Sequence, residues 1–253
     1  MGRGRSGRTG LGLRTKQNSP QETTSDTTTN DVPNWREAFT VVDRHNREKE
    51  WQEFAKHWQD GVTQADLNEI LRHGWNSGYV ATSHSFDINE KLYSPANENK
   101  SIEEIFDDPR DVRTVRTLDK LIQNHGTPRN AFYTRYSGAS AIKSIFGLSD
   151  AQMAAFTPGN IAMLNKALAG STSTSKSFTS ASANSSLNVF KGKQFERRLY
   201  VPAGTRSYGV TSQDDESEVI FGRNLNTRLV RVSYENGHYV LHEMVTGYKR
   251  SAK

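Results

Sequence analysis

Two glutamates, Glu216 and Glu218, stand two residues apart in Gln213-Asp214-Asp215-Glu216-Ser217-Glu218, directly before the apolar run Val219-Ile220-Phe221. If Glu218 begins a strand, period-two alternation puts both carboxylates on one face. Such a pair can orient a sugar hydroxyl and activate an incoming nucleophile. An acidic turn ahead of an ordinary strand is the competing and commoner reading of this stretch alone. Two upstream features bear on the choice. Arg135 lies in the aromatic run Phe132-Tyr133-Thr134-Arg135-Tyr136. Its permanently charged, forked donor set suits a pyrophosphate or a carboxylate, or else a strand-face ion pair. Ser180 and Ser182, in Phe178-Thr179-Ser180-Ala181-Ser182, share one strand face, where hydroxyls can bond a ribose or a carboxylate. Residues 171 to 186 are rich in Ser and Thr throughout, so that pair gains weight only from the combination.

The elements that must carry these residues change character along the chain. Residues 1 to 33 are rich in Gly, Ser, Thr, Arg and Asn and read as a disordered basic tail. Residues 34 to 62 read as a helical extension: Val32, Trp35, Phe39, Val42, Trp51, Phe54 and Trp58 recur near helical spacing, which predicts one or two amphipathic helices. Residues 63 to 253 form the expected catalytic domain. Within it Thr63 with Asp66 and Ser101 with Glu104 mark helix starts, and Val115, Leu118 and Ile122 give a helix a packing stripe. Residues 79 to 93 combine a short loop with a helical turn. After His125-Gly126-Thr127-Pro128 comes the aromatic strand, stopped by Ser137-Gly138, and then helical segments over 139 to 168. From Phe178 onward strands are predicted at 178–182, 195–201, 205–210, 218–221, 228–233 and 239–245, with turns at Pro202-Ala203-Gly204 and Asn236-Gly237. A helical first half feeding a strand-rich second half is an α+β domain.

Composition excludes several classes of chemistry. The chain has 253 residues and no Cys, which removes disulfides, thiolate nucleophiles and Cys-ligated zinc together. Its seven His are scattered, so no metal is expected. No Gly-x-Gly-x-x-Gly or Walker sequence is present, so a nucleotide would have to be held without a glycine-rich cradle. No run of eighteen apolar residues occurs, and no membrane partner is expected. The formal charge is +5, and the first twenty residues carry five of the cations with no acidic offset. Such an arm can touch nucleic-acid phosphates, although a solvated tail is the simpler reading.

In their order, Arg135, then Ser180 with Ser182, then Glu216 with Glu218 resemble the Arg-Ser-Glu class of mono-ADP-ribosyltransferases, which includes clostridial binary-toxin catalytic domains and phage and vertebrate transferases. Ile88-Asn89-Glu90-Lys91-Leu92 is similar to a helical segment ahead of that family's catalytic core, and the resemblance spans roughly residues 63 to 248. It implies an ADP-ribosyltransferase-like fold, a helical N-terminal half with two small facing, mostly antiparallel sheets, and NAD as substrate in the cleft. Arg135 would sit by the NAD phosphates. Ser180 would support the nicotinamide ribose and the catalytic carboxylate, and Ser182 would brace the strand beside the cofactor. Glu218 would hold the ribose 2′-hydroxyl and stabilise the oxocarbenium-like centre, and Glu216 would orient the acceptor. Phe190 would stack on nicotinamide or serve as a core aromatic, and Tyr208 would help present the acceptor.

A Glu at position 216 resembles the arginine-directed members, where Gln accompanies asparagine modification. The implied partner is a target protein bearing an acceptor arginine. The implied protein is a monomer acting in a host cytoplasm after phage infection or effector delivery. A nucleic-acid or small guanidino acceptor, and a non-catalytic virion or assembly protein, are the alternatives. The sequence departs from the family pattern in two places. Tyr136 follows Arg135 directly, with glycine delayed to Gly138, and Ala181 replaces the middle residue of the usual Ser-Thr-Ser. Arg129, in the turn after Pro128, is the alternative to Arg135.

Overall fold

The apolar spacing of the first half resolves into helices in a computed structural model that describes residues 40–41, 48–71, 84–183, 192–210 and 217–248. The chain divides after Pro33, and everything described belongs to the second unit, Asn34–Lys253. Helix α1 (Glu48–Lys56) buries Trp51 and Ala55, one turn apart, and Trp58 follows at 0% exposure with its ring 6.0 Å from that of Trp51. In α2 (Gln64–Leu71) the Thr63 hydroxyl accepts from the Asp66 amide at 3.1 Å and the Asp66 carboxylate accepts from the Thr63 amide at 3.2 Å, a reciprocal cap. Helix α3 (His84–Tyr93) buries Ile88 and Leu92. It is a ten-residue helix where a single turn was expected. Ser101 and Glu104 close a capping box on the short α4 (Ile102–Ile105). Asp108 caps α5 (Pro109–Asn124), whose Val115, Leu118, Leu121 and Ile122 form the expected buried stripe. The helices α6 (Ala139–Phe146), α7 (Asp150–Ala154) and α8 (Ile161–Leu168) come next, and Gly147 ends α6 in the left-handed conformation at φ 61°.

The strands are β1 (Thr40–Val41), β2 (Ala131–Ser137), β3 (Thr172–Ser175), β4 (Thr179–Ser182), β5 (Phe195–Val201), β6 (Ser207–Gly209), β7 (Glu218–Phe221), β8 (Leu225–Glu235) and β9 (His238–Tyr248). They follow the order β3-β8-β9-β5-β2-β4-β7-β6, with β1 parallel to β2 on the side. Thr40 and Val41 therefore pair as a strand where helical spacing had been predicted. The register shows how this path works as two sheets. Strand β2 pairs with β5 along its whole length, from Ala131↔Val201 to Ser137↔Phe195, but meets β4 at the single position Thr134↔Ser182. That seam joins a large arm, β3-β8-β9-β5-β2, to a small one, β4-β7-β6. The fold is α+β, with a helical N-terminal region and a mixed but mostly antiparallel β half.

Two hydrophobic cores lie along the large arm. One packs Val115 and Leu118 of α5 against Tyr133, Leu199, Val201 and Phe221, and the other packs Ile142 of α6 and Leu164 of α8 against Phe195, Leu229 and Leu241. The first core also fixes the small arm. A Cβ built on Gly209 of β6 would overlap the six-membered ring of the buried Trp58, so the strand can lie against the tryptophan only because that residue has no side chain. Gly209→Ala is expected to cost about 1–3 kcal/mol through overpacking, read as a lower denaturant midpoint at unchanged m-value. An unchanged midpoint would show that β6 and Trp58 are not in this contact.

Candidate functional site

Across the seam, three side chains on three strands make one continuous run of contacts. The Arg135 guanidinium on β2 donates through Nη1 to the Ser180 carbonyl oxygen on β4 at 2.5 Å, and the Ser180 hydroxyl donates to Glu218 Oε1 on β7. Strands β4 and β7 are antiparallel with Ser182 opposite Glu218 and Ser180 opposite Ile220, so Ser180 reaches Glu218 along the diagonal on a shared face. The other face of β4 explains the missing central hydroxyl. Ala181, opposite Val219, points into the first core at 4% exposure, where a hydroxyl would need a partner. Ser182 is buried at the seam itself, opposite both Thr134 and Glu218.

Immediately before Glu218 the chain stops being a strand. Ser217 is buried with φ 45°, in the left-handed region that a non-glycine residue occupies at a cost of roughly 1–2 kcal/mol. Its carbonyl accepts from the Ala183 amide at 3.0 Å, while its hydroxyl is buried without a hydrogen-bond partner among the described residues. Glu218 is thus the first residue of β7, directly after a residue in the left-handed region. Glu216 itself lies outside the described residues, as does Phe190. Tyr208 is 1% exposed, packs edge-on to the His125 ring at 5.9 Å, and has its hydroxyl pKa pushed up to about 12 by burial and the negative charge of Asp66. It is a core residue and does not present an acceptor. Arg129 stands exposed in the bend before β2, and it is Arg135 that meets Ser180.

The large arm supplies polar groups that the sequence reading did not single out. Residues 195, 197, 199 and 201 of β5 share the inward face, yet between Phe195 of one core and Leu199 of the other stands Arg197, 1% exposed. Its Nε and Nη2 donate to the two carboxylate oxygens of Glu243 at 2.6 and 2.7 Å. Glu243 also accepts from Thr227 at 2.8 Å, and the Thr227 hydroxyl lies 2.8 Å from that of Ser173. Burial works to lower the Arg197 pKa, but the Glu243 carboxylate outweighs it and holds the guanidinium above its ordinary value. The signal available in the sequence is a charge at the apolar position of each alternating run: Phe195-x-Arg197-x-Leu199 and Leu241-x-Glu243-x-Val245. A separate groove of about 680 Å³ is lined by His84, Lys91, Asp108 and Asp111, among others, and none of the three seam residues borders it. Among the described residues no group of three His, Asp or Glu side chains is placed to hold a metal ion.

With this geometry in place, comparison with known proteins is informative. The family model described as ADP-ribosyltransferase exoenzyme matches residues 48–247. The chain belongs to that family. The matched span contains Arg135, Ser180 and Glu218 together. Among solved structures, C3stau2 from S. aureus, crystallised with NAD, is similar at TM-score 0.66 and 16% identity, over 83% of this chain and 99% of that one. Plx2a, an ADP-ribosyltransferase toxin from Paenibacillus larvae, gives 0.62 and 14% over 83% and 99%. The ADP-ribosylating toxin BECa of a binary enterotoxin of C. perfringens, determined with NADH, gives 0.61 and 16%, over 82% of this chain and 49% of that one. At these identities the likeness is one of fold. A search of curated proteins by sequence found no match.

On the opposite face of the same strands, His242 of β9 is fully buried, with Tyr200 Oη 2.8 Å from Nδ1 and Ser233 Oγ 3.0 Å from Nε2. Burial, and then the charges of Arg231 and Arg198, depress its pKa to about 3 against the pull of Glu235. The ring is neutral in the folded protein at pH values where the unfolded chain would already be protonated. Unfolding therefore takes up a proton between about pH 6.5 and about pH 3, and stability falls as pH falls through that window. The loss should run at up to about 1.4 kcal/mol per pH unit. Melting curves from pH 7 to 4 should show a steeper loss for the parent than for His242→Gln, and parallel pH profiles would contradict a neutral buried ring.

Proposed function

We propose that this protein transfers ADP-ribose from NAD to an arginine side chain of a target protein and releases nicotinamide. The observation that carries the reading is the closed run of contacts Arg135–Ser180–Glu218 across the seam between the two arms. It puts a fixed cation and a fixed carboxylate on either side of a serine whose backbone binds one and whose hydroxyl binds the other. Family membership and the NAD in the similar C3stau2 structure support the choice of substrate.

The chemistry follows from the residue types. Arg135 offers a permanent fork of donors for the diphosphate. Breaking the bond between the ribose anomeric carbon and the nicotinamide nitrogen sends the bonding pair to the ring nitrogen and leaves positive charge on the sugar. A carboxylate held at that sugar is worth more in the transition state than in the ground state. Glu218, oriented by the Ser180 hydroxyl, takes that role and accepts from the ribose 2′-hydroxyl. The acceptor guanidinium then forms the new carbon–nitrogen bond and gives up a proton. Because its pKa in water is above 12, orientation and proton removal must be coupled to bond formation. Glu216 is assigned that work. The assignment of arginine as acceptor rests on a Glu at this position, since the similar structures include both C3 exoenzymes and binary-toxin components at comparable identity.

Incubation with labelled NAD and candidate cell lysates, followed by mass spectrometry, should place ADP-ribose on arginine, and modification confined to asparagine would overturn the acceptor assignment. Glu218→Gln should lower both transfer and NAD hydrolysis by a hundredfold or more, about 3–4 kcal/mol. Glu216→Gln should lose transfer while keeping hydrolysis. Ser180→Ala should fall between, at roughly ten- to a hundredfold for one lost hydrogen bond to a charged group. A Glu218→Gln protein as active as the parent would remove the site.

A further inference from the structure

Arg135 and Arg197 are registered partners on β2 and β5, so their side chains leave the same face of the sheet side by side. Like charges so placed repel. The two guanidiniums are nonetheless directed apart. Arg197 turns to Glu243 on β9, whose oxygens are committed to Arg197 Nε, Arg197 Nη2 and Thr227 Oγ1, while Arg135 turns the other way, across the seam to the Ser180 carbonyl on β4. The polar row Ser173–Thr227–Glu243–Arg197 crosses β3, β8, β9 and β5 between the two hydrophobic cores and stops one strand short of Arg135.

We propose that the buried Arg197–Glu243 pair is a positioning element for Arg135. Glu243 fixes Arg197 in a bidentate pair beside β2, and the fixed positive charge at that flank holds the Arg135 guanidinium toward the seam. Glu243, the nearest carboxylate along this row, is taken up by Arg197 and cannot draw Arg135 back into the large arm. The structural part of this inference stands on the contacts alone, and its functional consequence rests on the reading of the seam as the NAD site.

The test is a charge swap, Arg197→Glu with Glu243→Arg. It keeps a buried pair but sets a carboxylate beside Arg135. In the crystal structure of the folded variant Arg135 should turn to that carboxylate and leave the Ser180 carbonyl, and KM for NAD should rise at least tenfold with a smaller change in kcat, because the diphosphate contact is made in ground and transition states alike. A folded swap variant that keeps the Arg135–Ser180 contact and the parent KM would overturn the proposal. If the swap does not fold, Arg197→Met with Glu243→Leu decides. Replacing a buried ion pair by apolar groups commonly preserves the fold. That variant should melt near the parent temperature with Arg135 no longer fixed on Ser180 and with the same rise in KM, and parent-like values for both would refute a positioning role. Should the parent itself fail to cleave NAD, the function proposed above falls, and the crystallographic position of Arg135 in these variants still decides the inference.

Discussion

The contact between the Arg135 guanidinium and the Ser180 carbonyl is the constraint on which the site depends, because among the described residues β2 and β4 share a single registered pair, Thr134↔Ser182. A seam with no further tie would let the arms move independently. One backbone pair and one charge-assisted hydrogen bond join β2 to β4, the Ser175–Thr179 hydroxyl contact joins β3 to β4, and the same serine that accepts from Arg135 through its backbone orients Glu218 through its side chain.

Everything else in the structure holds one side of that seam. The small arm is pressed onto Trp58 through Gly209 and onto Tyr133 through Phe221, whose rings meet edge-on at 5.4 Å. The large arm is held from both faces: two apolar cores separated by the Arg197–Glu243 row on one, and the His242–Tyr200–Ser233 network with the Arg198–Glu196 and Arg198–Glu235 pairs on the other. Fully bonded buried charges are costly to assemble but strongly penalise alternative packings in which one partner is left alone. Strand β2 thus emerges from a stiff arm, and Arg135 inherits that stiffness.

Much of this was legible in the sequence, for identifiable reasons. Strands β5 and β7 were bounded to the residue because aromatic and β-branched runs end abruptly at Pro202 and Gly222. The capping boxes at Thr63 and Ser101 marked helix starts through a purely local bonding pattern. Arg135, Ser180 and Glu218 stand out in three distant segments by residue type, order and the family resemblance they carry together, and the structure links them through Ser180. Strand β3 was missed because Thr172–Ser175 has no apolar residue; it is held to its neighbours by hydroxyl pairs, Ser173 with Thr227 and Ser175 with Thr179, which leave no periodic signal. Arg197 and Glu243 occupy the apolar position of their alternating runs, but a charge in a strand ordinarily faces outward, and the register and burial decide that both point inward. Nothing in the letter Ser at position 217 shows a positive φ.

We propose that NAD is held at the seam with Glu218 at its reacting sugar. A crystal structure of the Glu218→Gln protein with NAD addresses it most directly, because that variant should bind the intact dinucleotide and cleave it slowly. Density is expected with the diphosphate on Arg135 and the nicotinamide ribose within hydrogen-bond reach of the residue 218 side chain. NAD bound instead in the groove between α3 and the start of α5, with the Arg135–Ser180 contact undisturbed, would contradict it.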